Sequence, residues 1–201
     1  MNILLLGMTP SPLRTIVESA DCRVLETDQK ISVDFLSAHS VDFAVSYRYR
    51  HIITRDIIDY LRSRVVNLHI SYLPWNRGAD PNLWSFLEDT PKGITIHYID
   101  EGIDTGDIIA QRLVDFDINH DTLSTSYQKL NQEITRLFVE CWSSIRAGAC
   151  GCKKQPGGGS FHRMIDKIPF QHLFEERGWD TPVKELIGQA IGAEGKGYPC
   201  G

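Results

Sequence analysis

Residues Val65 to Ile109 read VVNLHISYLPWNRGADPNLWSFLEDTPKGITIHYIDEGIDTGDII. The opening run, 65–70, is apolar except for Asn67 and His69 and has the character of a buried strand. Side chains alternate along a strand, so Asn67 and His69, two apart, share one face near its carboxyl end. That sets an amide donor beside an imidazole. Ser71 to Gly78 follows as a loop whose path Pro74 and Gly78 constrain, and Pro81 suits the first turn of a helix running to about Glu88. Gly93 to Ile99 alternates again, with Ile94, Ile96 and Tyr98 on one face and Thr95 and His97 on the other. The chain then enters an acidic, glycine-punctuated turn, Asp100-Glu101-Gly102-Ile103-Asp104-Thr105-Gly106. This turn lacks the alternate oxygen ligands and closing Glu of a calcium loop, which favours a positioned catalytic carboxylate over a metal site. An amide, an imidazole and a carboxylate together suit a reaction in which an oxyanion forms while a proton moves.

Upstream, Asn2 to Leu6 is an apolar run closed by Gly7, and Leu13 to Ala20 has helical spacing, with Leu13, Ile16 and Val17 inward. Strand, tight turn and helix is how a βαβ unit begins. A strand over Arg23 to Glu26, a helix over Ser32 to Ala38, a strand over Val41 to Ser46 and a helix from Thr54 to about Arg62 continue the alternation. The fold class expected is α/β, with a doubly wound, mostly parallel sheet. Tyr47-Arg48-Tyr49-Arg50-His51 follows the carboxyl end of a buried strand, where ligands bind in such sheets; a solvated basic turn is the other reading of the same residues. Gly7-Met8-Thr9-Pro10 lacks the three-glycine dinucleotide fingerprint, which argues against NAD.

Downstream, Ile108 to Phe116 reads as a further strand and Asp121 to Ala147 as a long amphipathic helix. Its stripe is Leu123, Tyr127, Leu130, Ile134, Leu137, Phe138, Cys141 and Ile145. After Gly148 the composition turns to Gly, Cys and Lys, so the chain divides into a catalytic domain, 1–148, and a connector with a small C-terminal extension, 149–201. Short helices are expected over Phe170 to Glu176 and Val183 to Ile191, with a loosely ordered end, GAEGKGYPCG.

The 201 residues are enough for one medium-sized domain with a real core. With 21 Lys+Arg against 26 Asp+Glu, the formal charge is -5, and no global basic field favours nucleic acid. The amino terminus lacks the cationic lead of a signal peptide, and no stretch approaches a membrane span, so a cytoplasmic protein is expected. Five cysteines, irregularly spaced, do not form a secreted disulfide framework. Cys150 and Cys152 alone do not supply a zinc site's four ligands.

Two motifs together are specific: Asn-Leu-His-x-Ser-x-Leu-Pro-x-x-Arg-Gly over 67–78 and Gly-Ile-Thr-Ile-His-x-x-Asp-x-Gly-x-Asp-Thr-Gly-x-Ile over 93–108. In them the chain resembles the folate-dependent formyltransferases, which include the glycinamide ribonucleotide, methionyl-tRNA and nucleotide-sugar amine enzymes. The resemblance covers Met1 to Gln111 and implies a Rossmann-like fold and transfer of a formyl group from 10-formyltetrahydrofolate to a primary amine. It implies Asn67, His69 and Asp104 as catalytic residues. By position it puts Tyr47, Arg48, Tyr49, His97, Asp100 and Gly102 at the cofactor, and Arg77 and Gly78 at the amine substrate. His97 has a packing or orienting role as its alternative.

The turn after the first strand departs from the Gly-Asn-Gly-Ser phosphate loop of glycinamide ribonucleotide enzymes and looks more like the Gly-Thr-Pro start of methionyl-tRNA enzymes. Those carry a larger C-terminal barrel and a basic tRNA surface, whereas a short extension and a Tyr-Arg-Tyr loop are like the small nucleotide-sugar enzymes. A nucleotide-linked amino sugar is therefore the expected acceptor. The alternatives are a methionyl-tRNA or glycinamide ribonucleotide acceptor, or a non-catalytic domain that binds folate or a nucleotide sugar. A homodimer is compatible with the sequence.

Overall fold

The computed structural model describes residues 1–18 and 22–191. Strands β1 (Asn2–Gly7), β2 (Arg23–Thr27), β3 (Phe43–Tyr47) and β4 (Val65–His69) alternate with helices α1 (Arg14–Glu18), α2 (Val33–Ala38) and α3 (Arg55–Tyr60). Beyond them come a two-residue strand β5 (Arg77–Gly78), helix α4 (Pro81–Leu87), strands β6 (Gly93–Tyr98) and β7 (Ile108–Leu113), the long helix α5 (Leu123–Ala147) and a short strand β8 (Phe161–His162). Six strands make one sheet in the order β2-β1-β3-β4-β6-β7. The first four run parallel, while β6 and β7 are antiparallel, so the sheet is mixed but mostly parallel, as expected.

Alternation along the strands divides the core into two layers. Ile3, Leu5, Phe43, Val45, Val66, Leu68, Ile94 and Ile96 meet α1 and α5 through Val17, Leu130, Ile134, Phe138 and Trp142. On the opposite face Leu4, Leu6, Ala44 and Val65 meet α2 and α3 through Leu36, Ile57 and Ile58. A smaller cluster joins Leu83, Trp84, Phe86 and Leu87 of α4 to Leu123, Val183 and Leu186. Helix ends follow local chemistry. The Ser32 side chain accepts from the Phe35 N–H at the start of α2. Thr122 and Thr125 form a reciprocal capping box on α5, which Gly148 closes in the left-handed conformation at φ 64°.

Several boundaries differ from the sequence expectation. The strand expected to reach Phe116 ends at Leu113. Trp142 and Ser126 are buried members of the α5 stripe, while Tyr127 and Cys141 are only partly covered. The two helices expected over Phe170 to Glu176 and Val183 to Ile191 are instead 3-10 segments, Ile168–Leu173 and Val183–Glu185, with a further one at Gly178–Asp180. Gly188, at φ 74°, interrupts the second of the expected helices. The expected loose end, 192–201, lies outside the described residues, as does the last part of the helix expected to reach Ala20. No described helix is long and apolar enough to cross a membrane.

The stretch read as a connector is tied to the sheet. Lys153 exchanges backbone hydrogen bonds of 2.8 and 2.9 Å with Ile108, and β8 pairs in parallel with β5. Phe138 sits fully buried between α5 and the sheet. Truncation by Phe138→Ala should cost about 3–5 kcal/mol, since the rigid strands cannot collapse into the space left. Urea unfolding followed by far-ultraviolet circular dichroism measures it, and a loss under about 1 kcal/mol would show that this layer repacks.

Candidate active site

The parallel part of the sheet ends at β4, and there four polar side chains converge. Asn67 and His69 project from one face of β4, the face opposite Val66 and Leu68, which serve the α5 core. Register puts Asn67 directly across from His97 on antiparallel β6, so these two side chains emerge on the same side. A register shift between Ile96 and His97 in the β6–β7 pairing marks a bulge at this point. The turn between β6 and β7 brings in Asp104, whose φ of 55° is left-handed. Asp100 staples that turn, accepting from Thr105 Oγ1 at 2.6 Å and from the Gly102 N–H at 3.2 Å. Gly106 is required beside it, because a Cβ there would collide with the Tyr98 carbonyl.

Asp104 is the hub. Its Oδ1 accepts from Asn67 Nδ2 at 3.1 Å and lies 3.4 Å from His97 Nε2. Its Oδ2 accepts from the Gly78 N–H at 2.9 Å and lies 3.6 Å from His69 Nδ1. The side chain is 12 % exposed. Burial opposes ionisation, but attraction to His69, the hydrogen bond and charge of His97 and the Gly78 N–H outweigh it, holding the carboxyl well below the usual carboxylate range. Asp104 is therefore charged at neutral pH.

His69 is buried, and desolvation pushes its pKa below the ordinary imidazole value despite the attraction of Asp104. Its Nε2 stands 3.1 Å from the carbonyl of Asn76, an acceptor only, so the ring hydrogen sits on Nε2. The neutral ring then turns its Nδ1 lone pair toward the Asp104 side of the site. His97 is nearly fully buried and gives its Nδ1 hydrogen to the Tyr98 carbonyl at 2.7 Å, and its Nε2 lies 3.3 Å from Asn67 Nδ2. It thus stands in the same cluster as Asn67 and Asp104.

The remaining candidates lie in two neighbourhoods. Gly78 touches Asp104 through its N–H, and the Arg77 guanidinium donates twice to Gln155 Oε1 at 2.9 and 3.1 Å. Asp100 and Gly102 line a cleft of about 330 Å3 with Ile58 and Ile99. Tyr47 and Arg48 instead line a separate cleft of about 400 Å3 against Met8, Pro12 and α5. The Tyr47 hydroxyl donates to Asn131 Oδ1, burial pushing its pKa up to about 12. The Tyr49 hydroxyl donates to the Gln29 carbonyl at 2.8 Å and accepts from the Ile31 N–H. Cys150 Sγ lies 3.5 Å from the Tyr98 hydroxyl. Among the described residues no group of three His, Cys, Asp or Glu side chains is placed to hold a metal ion.

Sequence reasoning missed three supporting residues. Asn76 is fully buried at φ 56°; it donates to Thr90 Oγ1 and accepts from Ser160 Oγ while its carbonyl takes the His69 hydrogen. Ser160 also receives the Asn76 N–H at 3.1 Å. Gln155 spans the Asp104 turn. An Asn seven residues after the histidine, in a Pro/Gly-rich loop, was a usable signal for Asn76; Gln155 and Ser160 carried none.

The pattern that defines formyl transferases matches residues 10–141. This chain belongs to the formyl transferase family. It is 30% identical over 152 residues to methionyl-tRNA formyltransferase of Desulfotalea psychrophila, covering 74% of this chain and 47% of that protein. It is 35% identical over 101 residues to phosphoribosylglycinamide formyltransferase of Bacillus subtilis, covering 50% of this chain and 51% of that one. The chain thus spans about half the length of these relatives. Among solved structures it is similar to the formyltransferase PseJ from Anoxybacillus kamchatkensis, which was crystallised with UDP-4,6-dideoxy-4-formamido-L-AltNAc and tetrahydrofolate. The two chains are 52% identical with a TM-score of 0.90, over 94% of this chain and 100% of that one.

The two depressed pKa values act in the same direction on stability. Below about pH 6.5 the unfolded chain protonates His69 while the folded protein does not, and below about pH 4 the same holds for Asp104. Stability present at neutral pH is therefore lost as pH falls through these windows. Urea midpoints between pH 7.5 and 5 should decline less steeply in His69→Gln than in the parent, and parallel curves would show that His69 charges freely in the fold.

Proposed function

We propose that this protein transfers the formyl group of 10-formyltetrahydrofolate to the primary amine of a nucleotide-linked amino sugar. The full-length likeness to PseJ carries this reading. PseJ was captured with a formamido nucleotide sugar and tetrahydrofolate, the two products of such a transfer. Methionyl-tRNA and glycinamide ribonucleotide relatives are matched over only about half their length.

The fit of the site to the donor rests on the Asp104 turn. The cleft beside that turn sets Ile58 and Ile99 among the polar side chains of Arg55, Asp59, Asp100 and Glu101, and a flat pterin with hydrogen-bonding edges calls for apolar and polar groups together. Tyr47, Arg48 and Tyr49 approach from the end of β3, where Ser46 stands across from Asn67. 10-Formyltetrahydrofolate supplies the formyl group; a bond forms from the amine nitrogen to the formyl carbon, and the bond from that carbon to the folate nitrogen breaks.

Geometry supports the following roles for the chain's own groups. His69 keeps its hydrogen on Nε2 for Asn76, so Nδ1 is free to take the proton the attacking amine must lose. Asp104, already ionised, stabilises the imidazolium that results and directs the proton to the departing folate nitrogen. Asn67 holds the nearest amide hydrogens, and exchanging its longer contact, 3.3 Å to His97, for the formyl oxygen makes it the oxyanion donor. His97 keeps Asn67 and Asp104 in register with each other. Arg77, with guanidinium hydrogens beyond the two given to Gln155, is placed to meet an anionic part of the acceptor.

Release of tetrahydrofolate in the presence of UDP-linked 4-amino sugars measures the reaction. Wild-type protein should turn over, while His69→Ala and Asp104→Ala should each lose about a hundredfold to a thousandfold with folding intact. Tight folate binding without turnover on any nucleotide amino sugar would instead make the protein a binding domain.

A further inference from the structure

The side-chain amide of Gln155 uses its full hydrogen-bonding capacity. Its Nε2 donates to the carbonyls of Asp104 at 2.8 Å and Gly106 at 2.9 Å, and its Oε1 accepts twice from the Arg77 guanidinium. Two donors meet two acceptors of one turn, while the oxygen meets a cation. The reverse orientation would set an oxygen against two carbonyls and an NH2 against a guanidinium, so the amide has one stable pose. Its backbone is fixed nearby, because Lys153, two residues earlier, is bridged in both directions to Ile108 at the start of β7.

What Gln155 holds is the Asp104 backbone in its left-handed conformation. A non-glycine residue keeps such a φ only when its surroundings over-determine it. Asp100 staples the turn from within through Thr105 and Gly102. None of those bonds reaches the carbonyls of Asp104 and Gly106, which Gln155 takes from outside. The residue lies beyond 10–141, the stretch that matches the family pattern.

We propose that Gln155 is a positioning residue for formyl transfer, fixing the Asp104 turn so that the carboxylate stays against His69. This rests on the transfer reading above. Gln155 acts through Asp104 and contacts neither reacting partner, so its loss is felt in the chemical step rather than in substrate affinity.

Full-length Gln155→Ala and Gln155→Glu test it, with 10-formyltetrahydrofolate and the nucleotide amino sugar that the wild type accepts, and with turnover expressed per folate-binding site. Glu keeps an acceptor for Arg77 but has no hydrogens for the carbonyls. Both variants should lose roughly tenfold to a hundredfold in kcat with similar thermal midpoints, and in Gln155→Glu, which still holds Arg77, each KM should stay within about twofold of wild type. Wild-type kcat per binding site in either variant would overturn the proposal. So would a deficit confined to KM, or failure of both variants to fold, which would give Gln155 a role in the fold alone. A wild type inactive on every nucleotide amino sugar would remove the transfer reading and this proposal with it, whereas an active wild type with undiminished variants removes Gln155 alone.

Discussion

A charged carboxylate kept out of water is the constraint to which the rest of this structure answers. Burying an ionised Asp costs several kcal/mol unless its lone pairs are satisfied. Asp104 accepts an amide hydrogen from Asn67 and the Gly78 N–H, and the imidazoles of His97 and His69 stand 3.4 and 3.6 Å away. The partners come from three elements: Asn67 and His69 from β4, Gly78 from β5 and His97 from β6. Displacing any of them leaves a charge without its counterpart, and for that reason the loop 71–80 and the 153–162 segment are bound closely to the sheet edge.

The sheet makes this convergence possible by changing direction. Parallel β1, β3 and β4 deliver their carboxyl ends to one edge, where open α/β sheets place ligands. Antiparallel β6 then runs back along β4, so His97 can face Asn67, and its turn into β7 returns Asp104 to the same point. Burial keeps His69 neutral, the Asn76 carbonyl selects its tautomer, and hydrogen bonds keep Asp104 ionised. A base and an anion thus stand side by side at one pH, the separation of protonation states that proton transfer to and from an amine requires.

Much of this was legible in the residues. The βα alternation from Asn2 to Arg62 is written in local hydrophobic period, and Asn67 with His69 follows from two-residue alternation on a strand that must be buried. Family resemblance added Asp104 and the formyl chemistry. The second tier of the site left no such trace. Gln155 acts on a carbonyl 51 residues away and Ser160 on an N–H 84 residues away, and both lie in Gly- and Lys-rich sequence without period. Composition there reads as a connector, although strand pairing and side-chain bonds lock it down. The helix expected over Val183 to Ile191 failed for a local reason, since the positive φ of Gly188 breaks it despite its apolar spacing.

The account stands most directly on the fate of the formyl carbon. With carbon-13 in the formyl group of 10-formyltetrahydrofolate and a UDP-linked 4-amino sugar as acceptor, nuclear magnetic resonance should show the label leaving folate and appearing as a formamide on the sugar nitrogen. Label that stays on folate, or is released as free formate, would contradict transfer to the amine.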